Sequence, residues 1–134
     1  MKTEDARKAL EAARAEATKM GKAVTVVVVD NTGTMVILER LNNANPFTAI
    51  VAEGKAVASA TMGRTSAQIA ETAKVYPALV QSMVTRLGGR FMALQGAVPV
   101  LDASGAILGA VGVSGAASEE DEQIASAGAA AIKG

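Results

Sequence analysis

The sequence lacks the side chains on which most catalytic and metal sites depend. Its 134 residues include no histidine and no cysteine. Without histidine there is no Ser-His triad, no imidazole general base and no imidazole metal ligand. Without cysteine there is no disulfide, no thiolate nucleophile and no zinc–thiolate site. We therefore predict no metal site, and any acid–base chemistry must fall to carboxylates, lysine or tyrosine.

Aromatic residues are scarce as well, and neither basic nor acidic residues are in excess. The chain has no tryptophan, one tyrosine and two phenylalanines, and its 13 basic residues equal its 13 acidic residues in number. So few aromatic rings offer no platform on which nucleobases can stack. A net charge of zero lacks the basic excess that binds phosphate backbones. We therefore expect no nucleic-acid partner.

The length and the hydropathy indicate one domain over residues 1–134. Half of the residues are hydrophobic, and most of these are alanine and valine. A core of small side chains often gains further burial by self-association, so we expect a homo-oligomer. The charged N-terminal segment has no signal-peptide pattern, and no run reaches the roughly 18 apolar residues of a membrane span. A cytoplasmic protein without a membrane partner is expected.

Hydrophobic spacing and turn residues predict an α+β fold. In chain order they indicate a helix over 3–20, strands over 23–30 and 34–40, helices over 45–63, 64–75 and 76–89, a strand over 90–95, a hairpin within 99–115 and a helix over 119–132. Thr3 is predicted to cap the first helix, and Ser118 with Asp121 to cap the last. Hairpins flanked by helices favour a three-layer sandwich with one mainly antiparallel sheet of about five strands.

Two short segments repeat the same turn chemistry. Asp30 is followed three residues later by Gly33, and Asp102 is followed in the same way by Gly105. The aspartates are expected to accept backbone N–H groups, and the glycines to adopt the positive φ that closes each hairpin turn. The second hairpin carries three more glycines at a spacing of three: Gly109, Gly112 and Gly115. Because this spacing alternates between strand faces, it predicts close approach of a helix or a neighbouring subunit rather than a ligand cradle.

Charge is unevenly distributed along the chain. Residues 54–96 carry five basic side chains against Glu71 alone, whereas residues 97–134 carry five acidic side chains against Lys133. We interpret the acidic group as favourable charge at the start of the last helix. Two interpretations of the basic group stay open: a solvated helix face, or a pocket for a carboxylate or another small anion.

Lys55 and Arg64 are the main candidates for such a pocket. Lys55 lies within the segment AEGKAVASA, in which few polar residues are available to solvate an ammonium group. Arg64 stands beside Thr65 and Ser66, which can share an anion with it. Glu53 is two residues from Lys55, so the two side chains are expected on different faces of the helix.

Three segments of the sequence resemble a known family. The segment GAVPVLDASGAILGAVGVSGAASEEDEQIASAGAAAI, residues 96–132, is similar to the C-terminal signature of the GlcG/HbpS family. This family is also called haem-degrading and is related to the C-terminal domain of PduO-type proteins. Residues 26–40 resemble the family's first hairpin, and residues 52–66 its Lys-Ala helix with the Arg-Ser/Thr segment that follows.

The resemblance implies a profilin-like α/β sandwich that assembles into homo-oligomers. It also implies a site between the Lys-Ala helix and the glycine-rich hairpin, matched here by Lys55, Arg64, Pro99, Gly112, Ser114 and Gly115. Some members of the family bind haem. Here Ala97 replaces the family's usual second glycine, and RLNNANPF replaces its usual Arg-Met-Asp-Gly loop. The lack of histidine excludes a histidine-ligated haem and leaves Tyr76 or a methionine as the possible ligand.

Three functional hypotheses remain. The first is an oligomeric protein that binds an anionic organic molecule, such as a carboxylate. The second is a cofactor-free isomerase, hydratase or lyase, in which Arg64 anchors a small carboxylate and Lys55 or Glu53 moves the proton. The third is haem binding without a histidine ligand. The candidate residues are Lys55, Glu53 and Tyr76 for catalysis, and Arg64, Ser66, Arg90, Pro99, Gly112, Ser114 and Gly115 for ligand binding.

Overall fold

The computed structural model describes residues 1–132 as five helices and four strands. The elements are α1 (Thr3–Met20), β1 (Thr25–Asp30), β2 (Met35–Arg40), α2 (Phe47–Met62), α3 (Ser66–Val75), α4 (Pro77–Arg86), β3 (Ala97–Leu101), β4 (Ile107–Ser114) and α5 (Ser118–Ala130). The α+β class is therefore confirmed. Within residues 1–132, no helix has the length and apolar character that crossing a membrane requires.

The sheet has four antiparallel strands in the order β2-β1-β4-β3, so the prediction of about five strands is slightly wrong. Residues 90–95 form no strand. The Met92 N–H group donates to the Gly54 carbonyl in α2 at 3.0 Å, and Phe91 is buried beside Ile69 and Val80. This segment therefore packs against helices, and its run of apolar residues over 91–94 reflects that contact rather than sheet pairing.

Helices cover both faces of the sheet. One cluster of buried side chains joins the sheet to α1 and α5, and a second cluster joins the opposite face to α2. Central strand β1 contributes to both clusters, which explains its unbroken run of valines. Gly112 in β4 lies so close to α2 that an added Cβ would collide with the Ala52 carbonyl and with Ala56. The expected close approach of a helix is thus found at Gly112.

Both hairpin turns have the predicted chemistry. Gly33 and Gly105 adopt positive φ angles of 81° and 87°. In the first turn the Asp30 carboxylate accepts from the Thr32 and Thr34 N–H groups at 2.9 and 3.0 Å. The Asp102 carboxylate makes the equivalent bonds in the second turn. Hydrogen bonds from Thr32 and Ser104, led by their hydroxyl groups, hold the pKa values of Asp30 and Asp102 below the ordinary value.

Two predicted helix caps are wrong. Thr3 is the first helical residue rather than the cap, which is Lys2 with no side-chain bond. The cap of α5 is Ala117 instead of Ser118, and its N–H group donates to the Glu120 carboxylate at 3.1 Å. Since Glu120 accepts that bond, Asp121 is available for a different contact. That contact forms the centre of the buried polar site.

Candidate functional site

Lys55 and Asp121 form a buried ion pair at one end of the sheet. The Lys55 Nζ atom lies 3.2 Å from Asp121 Oδ2 and also donates to the Val113 carbonyl at 2.9 Å. The other carboxylate oxygen, Oδ1, accepts from the Ala116 N–H group at 2.9 Å. Lys55 is 4% exposed and Asp121 is 2% exposed. The pair joins α2 on one face of the sheet to α5 on the other.

The backbone around Gly96 closes over this pair. A Cβ atom at Gly96 would lie 2.6 Å from Lys55 Nζ and 2.8 Å from the Val113 carbonyl oxygen. The Val113 N–H group in turn donates to the Gly96 carbonyl at 2.9 Å. Gly96 also has a φ of 136°, which disfavours other residues. Any side chain here would therefore displace the ammonium group or the strand.

Burial decides the electrostatics of Asp121. Desolvation raises the pKa of this carboxyl above its ordinary value of 3.8, while the Ala116 N–H group and the Lys55 ammonium oppose the increase. A buried pair of this kind is costly to break, because removing one partner leaves the other charge uncompensated. Lys55 is therefore held in a closed contact, and its proposed part in catalysis stays a prediction.

A second polar feature is a groove along α3. It has a volume of about 290 Å³ and is lined by Arg64, Gln68, Glu71, Thr72, Val75 and Tyr76. These positions recur at intervals of three and four residues, so they form one face of the helix. The groove therefore has a floor formed by one helix and is open on the solvent side.

Arg64 provides the positive charge of the α3 groove. The Glu71 carboxylate is paired with Lys74 at 2.9 Å, and among residues 1–132 no carboxylate lies within ion-pair distance of Arg64. The Arg64 carbonyl accepts from the Ser59 hydroxyl at 2.6 Å, which fixes the backbone at this position. The guanidinium is thus exposed, anchored at its base and available to an anion.

A capping box sets where α3 begins. The Gln68 N–H group donates to the Thr65 hydroxyl at 3.2 Å, and the Thr65 N–H group donates to the Gln68 side chain at 3.0 Å. The Thr65 hydroxyl therefore accepts the bond that starts the helix, and its sharing of an anion with Arg64 stays a prediction. This arrangement positions Arg64 immediately before the helix, at one end of the groove.

Tyr76 marks the other end of the groove. It is the junction residue between α3 and α4, and Pro77 begins the second helix. Tyr76 is 63% exposed and Val75 is 69% exposed. Leu79, in the first turn of α4, is also exposed. The groove thus runs from a cationic end to an apolar, aromatic end.

Ser66 and Pro99 lie at the edge strand β3. The Ser66 hydroxyl accepts from the Ala97 N–H group at 2.8 Å and faces the Ala97 carbonyl at 3.4 Å. Pro99 has no N–H group to offer farther along the same strand. Both residues therefore limit pairing of this edge with another strand. Their predicted role in ligand binding has no contact with the α3 groove to support it.

The remaining predicted ligand residues lie outside the α3 groove. Arg90 donates to the Gly33 carbonyl at 3.1 Å and so braces the first hairpin turn. Ser114 is buried opposite Thr25 in the sheet. Gly115 lies against the Ala23 carbonyl, just before β1. The catalytic candidate Glu53 is partly buried on α2, and Lys55 pairs with Asp121, as the expected separation of Glu53 from Lys55 allows.

The structure thus brings Arg64 and Tyr76 into one groove. It also brings Lys55 to the segment of residues 112–115, through the Val113 carbonyl and the approach of α2 to Gly112. The sequence analysis assigned Asp121 to helix capping and did not predict its pairing with Lys55. The signal for it was present, because a lysine in an apolar helix requires a buried counterion and the acidic segment near the chain end supplies one. Nothing local to either residue identifies which acid makes the pair.

The elements and their packing define a three-layer α+β sandwich. The family model described as haem degrading protein, HbpS-like, matches residues 1–130. The chain therefore belongs to the HbpS-like family, as the resemblance indicated. No curated protein sequence is similar enough to this chain to count as a match.

Solved structures agree with this assignment. A double mutant of HbpS from Streptomyces reticuli has a TM-score of 0.86 and 32% identity, over 100% of this chain and 88% of that one. A PduOC:heme complex has a TM-score of 0.85 and 26% identity, over 98% of this chain and 94% of that one. The ORFY protein of Klebsiella pneumoniae, at 22% identity with a TM-score of 0.84 over 98% of this chain and 90% of that one, shares the fold.

The donor groups at the α3 groove decide which kind of haem ligation is compatible with this groove. Proteins hold haem iron through histidine, cysteine, methionine or tyrosine. Histidine and cysteine are absent from the sequence, and none of the groove residues is a methionine. Tyr76 supplies a phenol oxygen and Arg64 supplies a partner for carboxylates. The groove therefore fits a tyrosine-ligated haem and does not fit a histidine- or thiolate-ligated one.

Proposed function

We propose that this protein binds a small organic anion with an apolar body along the α3 groove. The observation that carries the proposal is the placement of the Arg64 guanidinium, which has no carboxylate partner among residues 1–132, in the same groove as Val75 and Tyr76. Such a groove offers a charge-assisted contact at one end and apolar surface at the other. The ligand's carboxylate would lie at Arg64 and its apolar part would cover Tyr76.

Haemin is the first compound to test. Its carboxylates and flat apolar ring match the two ends of the groove, and a related protein has been solved in complex with haem. Smaller aromatic and aliphatic carboxylates form the second set of compounds. They test whether the groove recognises an organic anion of any kind or requires a large planar body.

The chain contains its own reporter for this binding. Tyr76 is the one tyrosine and tryptophan is absent, so tyrosine fluorescence comes from the groove alone. Titration with haemin or a carboxylate should change this fluorescence to saturation at one ligand per chain. Arg64→Gln should weaken binding about tenfold or more, the loss of roughly one charge-assisted bond.

Arg86→Gln is the matched control, because Arg86 is an exposed arginine on α4 that does not line the α3 groove. It makes the same change in net charge and should leave the affinity unchanged. Equal weakening by both substitutions would indicate general charge attraction and would contradict the proposed site. A fluorescence signal that never saturates would contradict binding altogether.

A further inference from the structure

The surroundings of Tyr76 suit a side chain that binds a ligand. Its ring is exposed at the α3–α4 junction, between Val75 at the end of α3 and Leu79 in the first turn of α4. Val75 and Tyr76 line the same groove, and together they give a flat ligand a contact area that a lone tyrosine would not provide. Pro77 fixes φ just after the tyrosine and restricts the backbone on both sides.

The length of α3 separates Tyr76 from the cation. The helix has ten residues, so it spans about 15 Å between its ends. Arg64 precedes its first residue and Tyr76 follows its last. A bound molecule that touches both ends must therefore be long, with its carboxylates at one edge and its apolar portion extending toward the tyrosine.

We propose that Tyr76 is the axial ligand when ferric haem occupies the α3 groove, an inference that rests on the proposed function. The phenol oxygen gives a lone pair to the iron, its proton passes to solvent, and the oxidation state of the iron does not change. Arg64 pairs with the carboxylates at the other end of the groove. In a chain without histidine or cysteine, its single tyrosine thus holds the iron.

Resonance Raman spectroscopy of the haemin complex tests this ligation directly. A tyrosinate bound to iron gives phenolate ring modes on excitation of the phenolate-to-iron transition, and with one tyrosine in the chain such modes have a single source. We expect them in the wild type and their complete loss in Tyr76→Phe. Tyr76→His should replace them with a histidine-ligated haem spectrum, since no other histidine is present.

A matched control uses the exposed ring of Phe47 on α2, which is 57% exposed, close to the 63% of Tyr76. In the Tyr76→Phe background, Phe47→Tyr restores one exposed phenol at a position that does not line the groove. It should not restore the phenolate modes. Their return would show adventitious contact with any exposed tyrosine and would overturn the proposal.

The outcomes separate this inference from the proposed function. Haemin that saturates at one per chain and depends on Arg64, but gives no phenolate modes in the wild type, overturns the ligation while the proposed function stands. If haemin fails to bind and a smaller carboxylate changes Tyr76 fluorescence in an Arg64-dependent way, the ligation is again overturned alone. If neither compound binds, both fail.

Discussion

At the scale of single residues, the Lys55–Asp121 pair is the contact whose loss the structure makes most costly. It is almost wholly buried, and each partner has a second polar contact in the protein. The Glu71–Lys74 pair has a similar distance, 2.9 Å against 3.2 Å for the buried pair, but its side chains are 72% and 71% exposed. Burial rather than distance should therefore determine the contribution of each pair to stability.

Lys55→Met should lower the free energy of unfolding by about 3–5 kcal/mol near neutral pH, because it leaves the Asp121 charge buried without a cation. Lys74→Met, the control on the exposed pair, should change it by less than about 1 kcal/mol. Urea denaturation of both variants and the wild type gives the comparison. Equal effects of the two substitutions would contradict the assigned role of the buried pair.

The effect of Lys55→Met should depend on pH in a defined direction. Burial raises the pKa of Asp121 in the folded protein, so the folded state favours the protonated carboxyl. The stability from this group is present below the ordinary value of 3.8 and is lost as pH rises through the higher folded value. In Lys55→Met no cation offsets that loss. The difference in the free energy of unfolding between the wild type and this variant should therefore shrink on acidification. Urea denaturation across this pH range measures the difference. A difference that grows toward acidic pH would contradict the electrostatic role assigned to the pair.

At the scale of secondary-structure elements, close contacts between backbones position the layers. Gly112 allows α2 to approach β4, whereas Gly105 lies in a turn where an added Cβ meets nothing within 4 Å. The same substitution at these two glycines therefore separates packing from backbone strain. Gly112 is required because a neighbouring helix lies against it, and Gly105 is required because of its backbone conformation alone.

Gly105→Ala should cost about 1–2 kcal/mol, since a Cβ at a positive φ is strained in the absence of any clash. Gly112→Ala should cost more, about 3 kcal/mol, because α2 must move away from the sheet. Thermal or urea unfolding of the two variants measures the difference. A smaller cost at Gly112 than at Gly105 would show that α2 moves away easily and would contradict the close packing described.

Ser66→Ala tests how the edge strand β3 is held. The substitution removes the acceptor of the Ala97 N–H group, and an unsatisfied buried group costs about 1–3 kcal/mol. Hydrogen exchange at the Ala97 amide should become faster. Ser82→Ala is the control, because the Ser82 hydroxyl bonds to the Ala78 carbonyl within its own helix. Unchanged exchange at Ala97 would contradict the role of Ser66.

Sequence reasoning predicted most elements because their signals are local. The valine run of β1, the paired Asp-Gly turns and Pro77 at the start of α4 each identify their structure within a few residues. It failed at residues 90–95, where apolar side chains such as Phe91 pack on helices instead of a sheet. It also assigned Asp121 to a cap, because the partner that decides its role is 66 positions away in the chain.

At the scale of the whole molecule, apolar side chains remain exposed on more than one element. Phe47 and Ile50 on α2 are 57% and 68% exposed, and Leu94 is 52% exposed. Phe47 and Ile50 are one helical turn apart on α2, and exposed apolar side chains that lie together are a common property of interaction sites. Self-association, expected from the composition, therefore remains our proposal for this chain. The partner in that case is a second copy, and the surface includes the first turn of α2.

Light scattering after gel filtration should give a mass above the 13.5 kDa of one chain. Ile50→Glu should shift the protein toward that monomer mass, because a charge on the exposed apolar turn opposes burial. Thr18→Glu, on the exposed face of α1, is the control and should leave the mass unchanged. A monomeric wild type would contradict self-association.

The central claim is that the α3 groove holds an organic anion through Arg64, and native mass spectrometry tests it most directly. Wild-type protein purified under mild conditions should carry a reproducible extra mass, one per chain, that corresponds to an organic acid or to haem. Arg64→Gln should carry much less of it, and Arg86→Gln should match the wild type. An extra mass of equal abundance in all three proteins, or none in the wild type after incubation with haemin and carboxylates, would contradict the claim.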